Sequence, residues 1–264
     1  IPEAGRAAKG TNIVNVLPVE PGEKVTAMIH LKEYSEDRYL VMVTRNGTVK
    51  RISLPVINTA RKAGIRCITL EEGDELIAVR ETDGEQAILI VSHDGMAICF
   101  KEDDVRCMGR DATGVRGIKL REGDYVIGAA RAKYDHYVLM VTENGFGKRT
   151  EMDEYIRADG PQNRGGYGLK GYQVTEKTGP IAGVKVVDGT EDILLINSQG
   201  VIIRMATADV NVYSRGAQGV KVMNLDEGVK VISIARTEHE EEEPEETEAD
   251  GGEDVETAGE EVEE

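Results

Sequence analysis

The stretch LVMVTRNGTVKR (40–51) decides the fold, because it holds two strand-like runs on either side of a tight turn. The first run is apolar and rich in branched residues. Asn46-Gly47 is a dipeptide that tolerates the positive φ of a two-residue hairpin turn. The stretch therefore predicts a β-hairpin.

The same pattern returns three times along the chain. The copies are LIVSHDGMAICFK (89–101), LMVTENGFGKR (139–149) and LLINSQGVIIR (194–204). The four turn glycines, from Gly47 to Gly200, are 48, 50 and 55 residues apart. Between the hairpins lie an acidic turn with a strand, as in LREGDYVIGA (120–129), and a short loop rich in Gly and basic residues. A repeat of about fifty residues is typical of radial or stacked architectures.

The apolar runs of the hairpins are too short for helices and fit strands that are buried on both faces. We therefore expect an all-β protein, a propeller-like wheel of four-stranded blades of about fifty residues each. We expect the end of a truncated first blade with a basic Gly loop over 1–23, four whole units plus a closing strand over 24–239, and a disordered acidic tail over 240–264. Lone strands near 11–17 and 229–236 would pair to close the ring or leave an exposed edge on the N-terminal side.

The net charge of −17 is concentrated at one end of the chain. Residues 240–264 contain fifteen acidic residues and no Lys or Arg, which leaves 34 acidic and 32 basic residues in 1–239. A polyanion can therefore still bind the body if its basic residues share one surface. Aromatic residues make up only 4%, which argues against a face of stacked aromatic platforms. No apolar run is long enough to span a membrane.

The sequence predicts no catalytic, cofactor or metal site. The four histidines stand apart from one another and from the three cysteines, so no metal-ligand spacing occurs. Nucleotide-binding, nucleophile-elbow and calcium-loop motifs are missing. Clustered carboxylates such as Glu72-Gly73-Asp74 are typical of turns.

Basic residues recur in two places, after the hairpin glycines and in the Gly-rich loops. The loops are GRAAKG (5–10), ARKAGIR (60–66), GRDATGVRG (109–117), QNRGGYGLKG (162–171) and SRGAQGVK (214–221). Equivalent positions of a radial repeat fall on one rim, where the cations would form a band. Cations and N–H groups bind backbone phosphates, and glycine permits a close approach. The alternative is that these loops are only tight connections with solvated charges.

The candidate phosphate-binding residues all belong to these two groups. They are Arg6, Lys9, Lys50, Arg51, Arg61, Lys62, Arg66, Lys101, Arg110, Arg116, Lys148, Arg149, Arg164, Gly165, Gly166, Lys170, Arg204, Arg215 and Lys221.

Long stretches of the sequence resemble the C-terminal domain of the bacterial DNA gyrase A protein, the gyrase polypeptide that carries the DNA-cleaving tyrosine. They are IPEAGRAAKGTNIVNVLP (1–18), TGVRGIKLREGD (113–124), NGFGKRTEMDEY (144–155) and SRGAQGVKVM (214–223), within a likeness that covers 1–236. The resemblance implies a β-pinwheel, a propeller variant whose blades exchange strands, with DNA wrapped around a basic rim. The family's signature box, Q-R-R-G-G-(K/R)-G, is expected ahead of this chain. QNRGGYG (162–168) echoes the box but departs from it at Asn163 and Tyr167.

The same resemblance implies a non-catalytic piece of an ATP-hydrolysing type II topoisomerase that introduces negative supercoils. The catalytic tyrosine, the metal site and the ATPase lie outside this chain, so no cofactor is expected here and ATP and Mg belong to the holoenzyme. The expected partners are double-stranded DNA, contacted through its backbone with little sequence specificity, and the gyrase A and gyrase B proteins in an A2B2 holoenzyme. The expected location is the bacterial cytoplasm, in association with the nucleoid.

Two alternatives stay open. The C-terminal domain of the topoisomerase IV A protein is a relative that binds DNA without comparable wrapping, although the regular Gly loops and the acidic tail favour gyrase. A propeller scaffold for protein partners would instead expose apolar or aromatic patches on one face. The tail is either a solubilising extension or a competitor of DNA for the basic rim.

Overall fold

The computed structural model describes residues 8–12, 15–17, 19, 22–61, 64–157 and 160–239. The strands are β1 (Tyr39–Thr44), β2 (Thr48–Ser53), β3 (Leu76–Thr82), β4 (Ala87–Ser92), β5 (Met96–Lys101), β6 (Val115–Arg116), β7 (Val126–Ala132), β8 (Tyr137–Thr142), β9 (Phe146–Glu151), β10 (Leu169–Lys170), β11 (Ile181–Val187), β12 (Asp192–Asn197), β13 (Ile202–Ala206), β14 (Val220–Lys221) and β15 (Val231–Thr237). Each predicted hairpin is followed by one helical turn. These turns are the helix α1 (Leu54–Ile57) and the 3-10 helices Glu102–Asp104, Met152–Tyr155 and Thr207–Asp209.

The strands form four antiparallel sheets, which confirms the predicted all-β, propeller-like fold. Their strand orders are β3-β1-β2-β6, β7-β4-β5-β10, β11-β8-β9-β14 and β15-β12-β13. The strands β3, β7, β11 and β15 contact one another in that order and together line a common cavity. We therefore call them the inner strands, and call β6, β10 and β14 the outer strands.

Each outer strand joins one sheet but belongs in sequence to the following repeat. The Gly-rich loop after β5 returns to the first sheet, where Val115 pairs with Val49 of β2. The loops containing β10 and β14 return in the same way to β5 and β9. Blades therefore exchange strands, and each of the loops 109–117, 162–171 and 214–221 lies on the outer edge of the preceding sheet.

One expected ring-closing strand has a different place. The segment near 229–236 is expected from the sequence to be left over after four whole units, but it is β15, which pairs with β12 along its length as the inner strand of the fourth sheet. That expectation is wrong because the strand after each acidic turn pairs with the hairpin that precedes it in the sequence, so the last such strand completes the fourth sheet. The other lone strand, near 11–17, lies partly outside the described residues, and the described part of it contains no strand.

The hairpin turns are built by glycine and held by the acidic turns. Gly47 has φ +84°, a conformation that residues with a Cβ rarely adopt. The Asp74 carboxylate accepts the Asn46 N–H at 2.9 Å, and Asp124 accepts the Asp94 N–H at 3.0 Å in the second unit. The acidic residues of these turns therefore act in the fold, as their turn-like sequence predicted.

Three apolar cores lie between successive sheets. β4 is buried at all six positions, as expected for a strand covered on both faces. Where the inner strands converge, a glycine on one strand makes room for a branched side chain of the next. A Cβ on Gly128 of β7 would stand 2.8 Å from Val184, and one on Gly183 of β11 would stand 2.7 Å from Ile234.

Candidate nucleic-acid interface

Three predicted cations occupy one equivalent position on the outer strands. Arg116, Lys170 and Lys221 each stand opposite the first residue of β2, β5 and β9, respectively. All three side chains are exposed, whereas the residue before each is partly covered. The repeat thus places one solvated cation at the same point on the outer edge of three successive blades.

Neighbouring Gly-rich loops contact each other directly along this edge. The Arg164 guanidinium donates to the Arg116 carbonyl at 3.1 Å, and Arg215 donates to the Lys170 carbonyl at 3.3 Å. The Gly165 N–H also donates to the Gly117 carbonyl at 2.6 Å. The three loops 109–117, 162–171 and 214–221 are therefore joined end to end, and we call this continuous edge the basic rim.

Glycine serves the docking of the outer strands. Gly168 has φ +77°, and a Cβ there would lie 2.2 Å from the Ala97 carbonyl of β5. Gly219, at the same place in the next loop, has φ +69° and would meet the Gly147 carbonyl of β9 at 2.3 Å. Both precede their rim cation by two residues. The sequence suggested that glycines in these loops allow a close approach to DNA. In the structure, Gly168 and Gly219 instead allow their loops to approach β5 and β9 of the preceding sheet.

Lys50 and Lys148 are not on the surface, which corrects their assignment as direct phosphate contacts. Lys50 is fully buried, and its Nζ donates to the carbonyls of Cys67, Arg110 and Ala112 at 2.7, 2.7 and 2.8 Å. Lys148 is also fully buried, and its Nζ donates to the carbonyls of Ser214 at 2.7 Å and Arg215 at 2.5 Å.

These two lysines position the loops that carry the rim. Burial lowers the pKa of Lys50, and it lowers the pKa of Lys148 to about 8. The Lys148 ammonium satisfies carbonyls of the loop 214–221, and its hydrogen bonds offset part of the cost of its burial. A buried lysine here holds a Gly-rich loop to the sheet.

The arginine after each buried lysine fastens adjacent blades. Arg51 is nearly buried and pairs with Asp103 of the next unit at 3.0 Å. Arg149 donates to the Val210 and Ala208 carbonyls of the following unit at 2.6 and 2.9 Å. The prediction that Arg51 contacts DNA phosphate is therefore wrong. Arg149 is half-buried.

Arg204, the equivalent residue of the fourth sheet, uses a different partner. It donates to Asp192 at 2.7 Å and to the Glu238 carbonyl at 2.7 Å. No later unit follows it within the described residues. Its guanidinium therefore ties β13 to β12 and to the segment after β15.

The remaining predicted residues divide by exposure. Lys101 is exposed, but it is three residues beyond the position of Lys50 in the register, so it is not the equivalent of the other lysines. The exposed residues are Lys9, Arg61, Arg66, Arg110 and Gly166, and the partly covered ones are Arg164, Gly165 and Arg215. Arg6 and Lys62 lie outside the described residues, as does the acidic tail beyond His239.

A second group of cations was not predicted from the sequence. Five cations line a cavity at the C-terminal ends of the inner strands: Arg80, Arg131, Lys133, Lys185 and Arg236. The available signal was a basic residue near the end of each strand that follows an acidic or Gly turn. These residues lie outside the Gly-rich loops in the sequence, so the pattern of basic residues in those loops does not indicate them.

Among the described residues, no His, Cys, Asp and Glu side chains are grouped as a metal ion would require. The same ranges contain no helix long and apolar enough to cross a bilayer. The predicted absence of a cofactor remains a prediction.

The strand-exchanged blades and the joined outer loops define a β-pinwheel, a propeller variant. A family model described as the DNA gyrase C-terminal domain, beta-propeller, matches residues 1–32, 38–83, 86–133, 136–188 and 191–238. This chain belongs to that family.

Individual relatives agree with the family assignment. The chain is 50% identical over 236 residues to the DNA gyrase A protein of Clostridium acetobutylicum, which covers 89% of this chain and 28% of the relative. It is 38% identical over 236 residues to the DNA gyrase A protein of Escherichia coli, which covers 89% of this chain and 26% of the relative. The chain thus spans between a quarter and a third of the length of these relatives.

Solved structures show the same shape. A DNA gyrase A C-terminal domain matches with a TM-score of 0.76 at 27% identity, covering 87% of this chain and 75% of that one. The C-terminal domain of a DNA topoisomerase IV matches with a TM-score of 0.80, also at 27% identity, covering 87% and 71%. Shape alone therefore does not separate the two kinds of domain, whereas the sequence relatives above are gyrase proteins.

Proposed function

We propose that this chain is a non-catalytic DNA-binding and DNA-wrapping module of a gyrase A protein. The observation that supports this most directly is the set of exposed cations Arg116, Lys170 and Lys221 at one equivalent position on three joined outer strands. Cations at regular intervals along one edge suit the repeated phosphates of a duplex. Each phosphate they neutralise releases counterions, which drives binding and makes it depend on salt.

The contacts would be to the DNA backbone and not to base edges. Within the described ranges, the helices are three or four residues long, too short to read a major groove. Arg and Lys side chains on a rim reach phosphates without discriminating between bases. We therefore expect weak sequence preference.

A duplex that follows the rim of a wheel has to bend. Smoothly bending 20–30 bp by 40–90° costs about 1–6 kcal/mol, so several phosphate contacts in series are needed to offset it. The joined loops provide that series, because each cation is held on a strand fixed to its blade. Wrapping in this form would present a neighbouring DNA segment to the cleavage gate.

The family supports a proposal for the wider role. We propose that the module works with the remainder of the gyrase A protein and with the gyrase B protein in an A2B2 holoenzyme, in the bacterial cytoplasm at the nucleoid. ATP and Mg would act in the holoenzyme, and strand passage there would convert the wrapped crossing into negative supercoils.

The test is duplex binding and bending across a salt series. Fluorescence anisotropy between about 50 and 200 mM salt gives the slope of log affinity against log salt, and end-to-end fluorescence transfer on the same duplex gives bending. The variants Arg116→Gln, Lys170→Gln and Lys221→Gln should each reduce the slope by about 0.9, and the triple variant should abolish bending.

Lys133→Gln is the matched control, because Lys133 is an exposed cation that lines the cavity at the C-terminal ends of the inner strands and not the rim. It should leave both slope and bending near the wild-type values. Equal effects of the control and the rim variants would show that overall charge drives binding. A flat salt response of the wild type would refute a backbone-binding rim.

The two alternatives make different predictions for these assays. A topoisomerase IV-like module would bind the duplex with a steep salt response but without strong bending. A protein scaffold would need an exposed apolar surface, and Val201 and Ile202 at β13 are exposed to 49% and 58%. However, these residues lie at the sheet edge that carries an outer strand in the other three sheets, so the repeat itself accounts for them.

A further inference from the structure

The inner strands end in a concentration of positive charge that the rim does not use. A cavity of about 390 Å³ is lined by Arg80, Arg131, Lys133, Lys185 and Arg236, drawn from the ends of all four inner strands or just beyond them. It adjoins the inner cavity and shares Arg80 and Lys185 with it. We call this group the axial cluster.

The axial cluster is poorly neutralised by the protein. Arg236 pairs with Glu191 at 2.9 Å. Among the described residues, no carboxylate lies within 4 Å of a side-chain nitrogen of the other four, and the cavity lining contains no Asp or Glu. Arg80 donates to the neighbouring Val79 carbonyl at 2.7 Å, a contact that leaves its charge unbalanced.

The like charges act on one another. Burial, followed by the charges of Arg131 and Arg236, lowers the pKa of Arg80. Burial, followed by the charges of Arg80 and Arg236, lowers the pKa of Lys185. These cations, held together by the inner strands, repel one another. A multivalent anion bound between them would add attractive interactions that outweigh the repulsion.

We propose that the axial cluster is a binding site for a compact oligophosphate anion, separate from the basic rim. Three guanidinium groups supply the planar forks that match phosphate oxygens, and two ammonium groups add point charges. The cavity volume is in the range of small-ligand sites. Its position at the meeting point of the four inner strands suits a compact anion that contacts all four strands at once.

The chain's own acidic segment is the less favoured occupant. After Arg236 the chain turns towards the outside of the fourth sheet, where the Glu238 carbonyl accepts from Arg204 and His239 contacts Asp192 at 2.7 Å. The last two described residues therefore lie beside β12 and β13 and not over the cavity.

Calorimetric titration of the full chain with sodium tripolyphosphate tests the proposal. We expect saturable binding of one anion per chain, and a rise in the thermal unfolding midpoint that sodium sulfate at equal ionic strength does not reproduce. Lys185→Gln and Arg80→Gln should each weaken binding about tenfold or more. Lys221→Gln, which removes a rim cation, should leave it unchanged.

A second readout separates binding from a general loss of structure. Because Lys185 is repelled by its neighbours, Lys185→Gln should raise the unfolding midpoint at low salt without the anion while removing the rise that tripolyphosphate causes. The proposal is overturned by non-saturating binding, by equal weakening in Lys221→Gln, or by a lower midpoint of Lys185→Gln. A peptide of residues 240–264 that displaces tripolyphosphate with higher affinity would assign the cluster to the acidic segment instead.

Discussion

Replacing Lys148 by methionine tests the distinction between a lysine that positions a loop and one that binds DNA. The ammonium group is fully buried and donates to the carbonyls of Ser214 and Arg215. Hydrogen bonds to charged groups contribute about 1.5–3 kcal/mol each, and the variant also removes the cost of burying the ammonium. We therefore expect a net loss of about 2–4 kcal/mol in the free energy of unfolding.

Urea unfolding followed by far-UV circular dichroism measures this loss, since the chain has no Trp. Lys221→Met is the matched control, because Lys221 is exposed on the strand that the same loop contributes. It should change the free energy of unfolding by less than about 0.5 kcal/mol.

The same two variants give opposite results in DNA binding. Lys148→Met, measured where it is folded, should keep the wild-type salt slope, whereas Lys221→Met should lower the slope by about 0.9. If Lys148→Met left stability unchanged and lowered the slope, its ammonium would reach phosphate and the positioning role would be wrong.

Three further predictions concern backbone, thiols and pH. Gly219→Ala should destabilise the fold by more than about 1 kcal/mol in urea unfolding, because φ is +69° and the new Cβ meets a carbonyl of β9, whereas Gly216→Ala, with open space around it, should not. Thiol labelling of the native chain should modify the exposed Cys107 rapidly and leave Cys99 protected, since Cys99 is buried and its burial raises the pKa of the thiol to about 12. The free energy of unfolding should rise between pH 8 and 10.5, because Lys148 loses its proton in the folded state before the unfolded state does, and Lys148→Met should flatten that rise in urea unfolding at several pH values.

Local features of the sequence were sufficient to predict the hairpins and the all-β fold. Gly47 supports its turn through a positive φ, although the turn holds the three residues 45–47 and not the two that the sequence predicted. The run LIV (89–91) is apolar because both faces of β4 are covered. The partner of a short outer strand is not a local property. Val115–Arg116 pairs with β2, more than sixty residues earlier, and nothing in two residues encodes that choice.

The candidate site was predictable only in part, because whether a basic residue is buried or exposed also depends on distant parts of the chain. Lys50 and Arg116 are both basic and near glycines, but one points into the fold and the other into solvent. The register of the repeat contained a usable signal, since the position of Lys50 and Lys148 is occupied by Ile98 in the second unit. An apolar equivalent indicates an interior position. The axial cluster required knowledge of how four strands converge.

The backward donation of outer strands gives the chain a one-way structural dependence. The second, third and fourth repeats each complete the sheet before them. A cut after residue 190 would therefore remove the fourth sheet and also take β14 from the edge of the third, whereas a cut ahead of β1 would leave every strand of the four sheets with its partners. β13 has no such partner within the described residues. Its free side is the point at which one more repeat, appended in frame, would extend the wheel without disturbing any existing pairing.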